Sequence, residues 1–344
     1  MPAVKSGKVL VTGANGFVAT WVIKNLLEAG YTVRGTVRSA SRVPYLKKIF
    51  AEYGDKVEFV IVADITKEGA FDAAVEGVDA VAHTASPFHM HADDPKEIIE
   101  PAVAGTTSIL ESTLKHGTGV ERVIDMSSMA AIMTLALPTP RVFTEDDWNE
   151  RAIKEVETKG KDAWPIDKYC ASKTLAEKAL WAFYERNKGS AKWDVVALNP
   201  PYVFGPIIHE VNDVDHLNES MDNWYKNTLK GAADQETLAN YGSNWVDVRD
   251  VAKATVLALQ KDEAGGNRIT ISAGVWKWQD WVNAARKISP AVPVGNQNYK
   301  PENAVHDVVL DATKSVKLLG MTYRSMEETT HDILENFTQK GWWN

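Results

Sequence analysis

The sequence predicts an α/β protein: a doubly wound parallel sheet followed by a smaller C-terminal lobe that carries the substrate. The first 130 residues alternate short runs of β-branched residues with stretches of helical periodicity, which is typical of parallel βαβ units. Right-handed crossovers bring the carboxyl ends of such strands to one edge of the sheet, where ligands bind. After residue 204 this alternation loosens, and segment 205–245 is polar and loop-rich.

Individual elements follow from the apolar pattern. Six segments have the composition of buried strands: Lys8–Thr12, Thr32–Val37, Val57–Val62, Val78–His83, Val120–Met126 and Val195–Leu198. Helical stretches are predicted at Ala19–Glu28, Pro44–Tyr53 and Pro101–Lys115. Gly30 stands just past the first of these helices, where a glycine commonly ends a helix.

The chain is expected to divide into a nucleotide-binding core at 1–204 and a mainly substrate-binding lobe at 205–344. Segment 245–262 is expected to return to the core, because Trp245–Val248 has a strand-like pattern and Asp250–Gln260 a helical one. A clean domain boundary is therefore not expected.

Composition excludes several classes of function. The net charge of −8 disfavours nucleic acids and anionic membranes as partners, since both require clustered Lys and Arg. The only cysteine is Cys170, so a disulfide within the chain is impossible. No run of about 18 apolar residues suggests a membrane span, and no signal sequence precedes the first strand. A soluble cytoplasmic protein is the expectation.

A glycine-rich turn follows the first strand and opens the first helix. Gly13 permits a tight turn, Gly16 lets backbone N–H groups approach a pyrophosphate, and Ala19 allows the helix to pack closely on the sheet. A purely structural turn has the same pattern, but this context indicates a Rossmann-type dinucleotide site. The residues expected to contact the pyrophosphate are Gly13, Asn15, Gly16, Phe17 and Val18.

The end of the second strand indicates which nicotinamide cofactor binds. An NAD site usually has Asp or Glu there for the ribose 2′-hydroxyl, and segment 36–42 has neither. Arg38 can pair with a 2′-phosphate, Ser39 can donate to it, and Arg42 is a second cation. The alternative is that these are solvated surface residues. NADPH is the predicted cofactor.

Two further strand ends carry candidate cofactor contacts. Asp64 and Ile65 follow the third strand, where an acid can accept a hydrogen bond from the adenine amino group. Thr84, Ala85 and Ser86 follow the fourth, and their small side chains leave room for the cofactor ribose.

The strongest chemical signal is the pair Tyr169 and Lys173 on a predicted helix. A spacing of four residues places both side chains on one helical face. A lysine cation there is expected to lower the tyrosine pKa and to hydrogen-bond the nicotinamide ribose. Ser128, just past the fifth strand, can donate to a substrate oxygen on which negative charge develops. These three residues are the predicted catalytic set for hydride transfer between nicotinamide and a carbonyl or alcohol.

The ordered motifs together resemble the extended short-chain dehydrogenase/reductase family. They are most similar to its dihydroflavonol-4-reductase-like branch and to fungal NADPH-dependent carbonyl reductases. The landmarks are VTGANGFVA (11–19), RGTVRS (34–39), AHTASPF (82–88), PAVAGTTSIL (101–110), MSS (126–128), EDDWN (145–149), YCASK (169–173), LNPPYVFGP (198–206) and WVDVRDVAKA (245–254).

The resemblance implies Ser128, Tyr169 and Lys173 as catalytic residues and reduction of aldehydes and ketones, including aryl ketones and keto esters. It implies that Pro200 to Val203 form a wall beside the nicotinamide. It also places Ser86, Pro87, Phe88, Tyr202 and the surroundings of Trp224 at the substrate pocket. A monomer or homodimer is typical of this branch.

Two rival functions remain at this level. A nucleotide-sugar epimerase or dehydratase has the same fold and the same Tyr-Lys pair, but usually retains NAD. A non-catalytic NADP-sensing regulator also shares the fold, but commonly lacks that pair. No metal site is predicted, because His83, His89 and His91 have no partner ligands at a recognised spacing.

Overall fold

The computed structural model describes residues 3–86, 92–135 and 140–343. Its strands are β1 (Lys8–Val11), β2 (Thr32–Val37), β3 (Val57–Ile61), β4 (Ala80–His83), β5 (Arg122–Met126), β6 (Arg141–Phe143), β7 (Asp194–Asn199), β8 (Tyr202–Phe204), β9 (Gly242–Asp247), β10 (Asn267–Thr270), β11 (Gly274–Lys277) and β12 (Val308–Leu310). Its α-helices are α1 (Phe17–Glu28), α2 (Val43–Ile49), α3 (Asp72–Val75), α4 (Lys96–His116), α5 (Glu150–Lys159), α6 (Pro165–Asn187), α7 (Glu219–Trp224), α8 (Gln235–Asn240), α9 (Val248–Gln260), α10 (Trp278–Ile288), α11 (Thr313–Leu319) and α12 (Met326–Gln339).

Seven strands form one sheet in the order β10-β7-β5-β4-β1-β2-β3. All neighbours are parallel, and helices cover both faces, so the predicted fold class is confirmed. The chain leaves β1 towards β2 on one side and later adds β4 on the other. This reversal creates a crevice at the carboxyl ends of β1 and β4, which is where doubly wound sheets bind their ligands.

The structure differs from the sequence prediction in three places. The seventh strand, β10, was not predicted, because it has only four residues, three of them polar, and becomes a strand by pairing with β7. Helix α4 begins five residues before Pro101, and Asp94 accepts a hydrogen bond from the backbone N–H of Lys96 at its start. The polar segment 205–245 contains α7, α8 and most of β9 rather than loops alone.

The C-terminal part adds two small sheets to the core. One has the order β11-β9-β8, and the other pairs β12 with β6. An aromatic cluster fills the space behind the first, with ring centroids of Trp245 and Trp281 4.8 Å apart and those of Phe204 and Trp281 5.0 Å apart. Helix α9 packs against α1. Within the described ranges, no helix is long and apolar enough to span a membrane.

Candidate active site

The glycine turn between β1 and α1 forms a cradle, a space that side chains at the glycine positions would fill. Gly13 has φ of 69°, and a Cβ built there would lie 3.2 Å from the Ala85 Cα atom. The Gly13 N–H donates to Thr36 Oγ1 over 3.1 Å, which holds the turn against β2. Helix α1 begins at Phe17, directly behind this turn, and the first N–H groups of a helix lack intrahelical partners. The turn therefore provides the anion-binding geometry that the motif predicted.

The ends of β1 and β4 are joined by a threonine hydroxyl. Thr12 Oγ1 accepts hydrogen bonds from the backbone N–H groups of Thr84 (3.1 Å) and Ala85 (3.0 Å). The same oxygen lies 2.9 Å from His83 Nδ1. Burial and, to a smaller extent, the nearby Lys173 lower the pKa of His83 to about 3, so this imidazole is neutral. The contact brings Thr84 and Ala85 beside Gly13.

The predicted 2′-phosphate residues lie exposed at the end of β2. Ser39 Oγ is 2.7 Å from Ser41 Oγ, and Arg38 is open to solvent. Arg42 is not free, because its Nη1 atom forms a 3.1 Å ion pair with Glu210 Oε2. The sequence placed no acid at this strand end, and the fold brings one from 168 residues away.

The residues after β3 have well-defined local roles. Asp64 accepts hydrogen bonds from the Thr66 N–H (3.0 Å) and hydroxyl (2.7 Å), and these bonds lower its pKa. Ile65 packs under α4, so closely that a Cβ at Gly105 would lie 2.9 Å from the Ile65 Cδ1 atom.

The three predicted catalytic residues meet at the carboxyl end of β5. Ser128 caps a short 3₁₀ turn, with its Oγ accepting from the Ala130 N–H over 3.1 Å. Tyr169 and Lys173 lie half-buried on α6, and Tyr169 hydrogen-bonds with Ser128. Burial raises the Tyr169 pKa to about 12, and the bond with Ser128 offsets part of that rise. The expectation that Lys173 lowers this pKa is wrong for the structure, since burial dominates and the compensating group is Ser128.

Lys173 lies among buried acids rather than in solvent. Burial lowers its pKa, whereas the negative charges of Asp125 and Glu177 raise it. Burial in turn raises the pKa of Asp125 to about 7, with Lys173 acting in the opposite direction. The two acids therefore help to keep the Lys173 ammonium charged.

Glu177 is a functional candidate that the sequence analysis missed. Its carboxylate accepts from Ser127 Oγ (2.5 Å) and Asn199 Nδ2 (2.8 Å), and Arg268 Nε lies 2.5 Å from it. Asn199 also donates to the Ser128 carbonyl oxygen over 3.2 Å. One signal was available, because Glu177 continues the face of Tyr169 and Lys173 at the same spacing of four. Asn199 and Arg268 come from distant strands and carry no such signal.

The segment after β7 reaches the same site. The Pro200 carbonyl oxygen accepts from the Met129 N–H over 3.0 Å, which joins this segment to the serine turn. Tyr202 is close enough to Tyr169 to raise its own pKa through their interaction, although burial is the main cause. Its hydroxyl lies 3.2 Å from that of Tyr241, while Val203 is buried.

The remaining substrate predictions have different outcomes. Trp224 is a core residue and not a pocket wall, because it is 0% exposed and packs against Trp281 and Phe337 with centroid distances of 6.2 Å. Burial of this large indole among apolar side chains keeps it away from any surface pocket. Phe88 lies outside the described residues, as do Pro87, His89 and His91.

Comparison with known proteins gives several matches over nearly the whole chain. NADPH-dependent methylglyoxal reductase GRE2 of Saccharomyces cerevisiae is 34% identical over 336 residues, covering 94% of this chain and 96% of that protein. Ketoreductase azaE of Aspergillus niger is also 34% identical, covering 97% and 98%. The crystal structure of yeast Gre2 complexed with NADPH superposes with a TM-score of 0.86 at 34% identity, covering 97% of this chain and 99% of that one.

A family model supplies the remaining comparison. The model described as NAD dependent epimerase/dehydratase family matches residues 9–274, a range that holds the glycine turn, the serine turn and the Tyr-Lys helix. The resemblance to extended short-chain dehydrogenases/reductases is thereby confirmed. The chain belongs to the NAD dependent epimerase/dehydratase family.

Proposed function

We propose that this protein is an NADPH-dependent carbonyl reductase that converts aldehydes and ketones to alcohols. The observation that carries the proposal is the hydrogen bond between Tyr169 and Ser128, with Lys173 one helical turn away on the same face. Relatives at 34% identity support it, because they are named as an NADPH-dependent methylglyoxal reductase and a ketoreductase.

The residues at the sheet edge fit a dinucleotide. The Gly13 cradle admits no side chain, and the exposed Gly16 precedes the first turn of α1. We assign Gly13, Asn15, Gly16, Phe17 and Val18 to the pyrophosphate, Arg38, Ser39 and Arg42 to the 2′-phosphate, Asp64 and Ile65 to the adenine, Thr84, Ala85, Ser86, Tyr169 and Lys173 to the nicotinamide riboside, and Pro200 and Val203 to the nicotinamide.

In the proposed mechanism, NADPH supplies the hydride when bound. Ser128 donates a hydrogen bond to the substrate carbonyl oxygen, and this bond strengthens as that oxygen gains negative charge. Tyr169 transfers its phenolic proton to the same oxygen, which completes the alcohol. Lys173 stays charged beside Asp125 and Glu177 and would hydrogen-bond the nicotinamide ribose.

The finer assignments extend this proposal. Residues 1–204 with 245–262 form the cofactor-binding core, and 205–344 supply most of the substrate lobe. Tyr202 lines the substrate pocket, since it lies beside Tyr169 and is half-buried. Small aldehydes, aryl ketones and keto esters are the substrate classes to test. We further propose a cytoplasmic monomer or homodimer.

Epimerisation or dehydration of a nucleotide sugar is the alternative within this family. Such enzymes use the same Tyr-Lys pair but recycle a tightly held NAD. The exposed Arg38 at the end of β2 and the relatives' names favour reduction with NADPH.

The deciding experiment measures NADPH and NADH oxidation at 340 nm with methylglyoxal, aliphatic aldehydes, aryl ketones and keto esters. We expect turnover that prefers NADPH. Nucleotide is also extracted from the purified protein and identified. Stoichiometric bound NAD with no net turnover would instead support the epimerase alternative, and NADPH binding without turnover would support a sensor.

A further inference from the structure

The ion pair between Arg42 and Glu210 joins two distant parts of the chain at the proposed 2′-phosphate site. Arg42 follows β2, immediately after the hydroxyl pair of Ser39 and Ser41, and its side chain is 52% exposed. Glu210 is 34% exposed and comes from the segment after β8. Its carboxylate is therefore already paired with the Arg42 guanidinium, which we assign to the 2′-phosphate of the cofactor.

The segment Pro206–Glu210, which we call the strap, is held in place by hydrogen bonds on both sides. Trp21 Nε1 on α1 donates to the Pro206 carbonyl oxygen over 2.8 Å. Tyr45 on α2 donates to the Ile208 carbonyl oxygen over 3.2 Å. On the other side, the Ile207 N–H donates to Asn336 Oδ1 on α12 over 2.9 Å.

The ring of His209 fixes the strap at one more point. It packs against the Phe17 ring at the start of α1, with centroids 5.5 Å apart. Because the backbone from Pro206 to Ile208 and the His209 ring are anchored, the Glu210 carboxylate stays near Arg42 when the arginine turns towards another anion.

We infer that Glu210 is a specificity-determining residue that competes with the cofactor 2′-phosphate for Arg42. This inference rests on the proposed function, because it requires NADPH at this site. The phosphate and the carboxylate offer the same kind of acceptor to one guanidinium. Binding of NADPH must therefore either break the Arg42–Glu210 pair or bring two anions close together. NADH has no 2′-phosphate, so its binding neither breaks the Arg42–Glu210 pair nor brings a second anion close to Glu210.

The consequence is a cofactor site that prefers NADPH but holds it less tightly than its cations alone would allow. Discrimination against NADH comes from Arg38, Ser39 and Arg42. The strap lowers the affinity of the site for NADPH. For the same reason it speeds release of NADP⁺ after each turnover.

The test compares binding of NADPH, NADH and 2′,5′-ADP to the wild type, Glu210→Gln and Glu52→Gln by quenching of intrinsic fluorescence. Glu52 is the matched control, because it is an exposed acid in the cleft that also contains Tyr45 and Ile208. Both substitutions remove one negative charge, and only Glu210→Gln releases Arg42. The titrations are repeated in 0.5 M NaCl and in an Arg42→Gln background.

We expect Glu210→Gln to bind NADPH and 2′,5′-ADP roughly two- to fivefold more tightly at low salt, as the strength of an exposed ion pair implies. NADH binding stays unchanged, the gain shrinks in high salt, and it vanishes without Arg42. Unchanged NADPH affinity, or an equal gain for NADH or for Glu52→Gln, overturns the inference alone. A wild type that binds NADPH no better than NADH overturns the proposed cofactor as well.

Discussion

Glu177 accepts a hydrogen bond from Ser127 over 2.5 Å and thereby ties the helix that carries Tyr169 to the turn that carries Ser128. Both residues are buried. Tyr169, Lys173 and Glu177 succeed one another along α6, so a single helix carries the proposed proton donor, its cationic neighbour and the group that ties this helix to the serine turn.

This relationship predicts that Glu177→Gln alters the pH dependence of catalysis as well as stability. Loss of the negative charge lowers the Lys173 pKa, because burial then acts with less opposition. The alkaline limb of kcat/KM should move to lower pH, and kcat at neutral pH should fall by about tenfold. Rates measured between pH 5 and 10 check this.

Glu145→Gln is the control for that substitution. Glu145 is also buried, accepts from the Thr270 N–H over 2.9 Å and has its carbonyl oxygen bonded to Arg268. It should lose stability but keep the wild-type pH profile. If Glu177→Gln destabilises the fold with no shift of the alkaline limb, its role is structural only.

Tyr169→Phe should reduce turnover severely and weaken cofactor binding far less. The substitution removes the proton donor and the bond with Ser128, and general acid catalysis is worth about 10²–10⁴ in rate. Single-turnover and steady-state rates with NADPH check the loss. Tyr184→Phe, in the core beside Trp193, should retain wild-type rates. Near-normal turnover of Tyr169→Phe would remove Tyr169 from the mechanism.

Arg38→Gln should weaken NADPH selectively. Arg38 is an exposed cation at the end of β2, and a charge-assisted bond to phosphate has no counterpart with NADH. KM for NADPH should rise about tenfold, with KM for NADH unchanged. Lys47→Gln on α2 removes the same charge from a neighbouring exposed position and should change neither value. A parallel loss for both cofactors would place Arg38 outside the phosphate site.

His209 should make the protein less stable in acid. Burial lowers its pKa to about 4 from an ordinary value of 6.5, with Lys340 adding to the effect. Below pH 6.5 the unfolded chain takes up a proton that the folded chain refuses. Stability is therefore lost as pH falls from 6.5 to about 4, by about 1.4 kcal/mol per pH unit from this residue.

Urea unfolding of the wild type and His209→Gln at several pH values in that range measures the effect. The substitution should remove this share of the slope. His216→Gln should not, because His216 is exposed and paired with Asp213, which raises its pKa. Equal slopes for wild type and His209→Gln would show that His209 is not neutral in the folded protein.

Local patterns predicted the first five strands well and grouped Ser128, Tyr169 and Lys173, which the structure brings together. Thr32–Val37 was predicted to the residue, because its β-branched residues are bounded by Gly30 and a polar turn. The serine, tyrosine and lysine could be grouped because strand ends share one edge and a spacing of four shares one helix face.

What could not be predicted depends on contacts between distant segments. Arg268 forms an ion pair with Glu177, 91 residues earlier, and Glu210 forms one with Arg42, 168 residues earlier. The family resemblance placed Trp224 near the substrate pocket, but the residue lies in the core. The periodicity of a single segment cannot predict which distant residue pairs with its side chains or whether a large side chain is buried by distant segments.

The late position of β10 also has a consequence for the order in which the protein is made. A ribosome completes α6, with Glu177 on it, some 80 residues before it reaches Arg268. Until then the chain must either leave that carboxylate in water or bury it without its Arg268 ion pair, at a cost of several kcal/mol. The sheet should therefore close around its catalytic helix only after the last strand emerges, and chains truncated before residue 267 should fail to fold rather than form a working half.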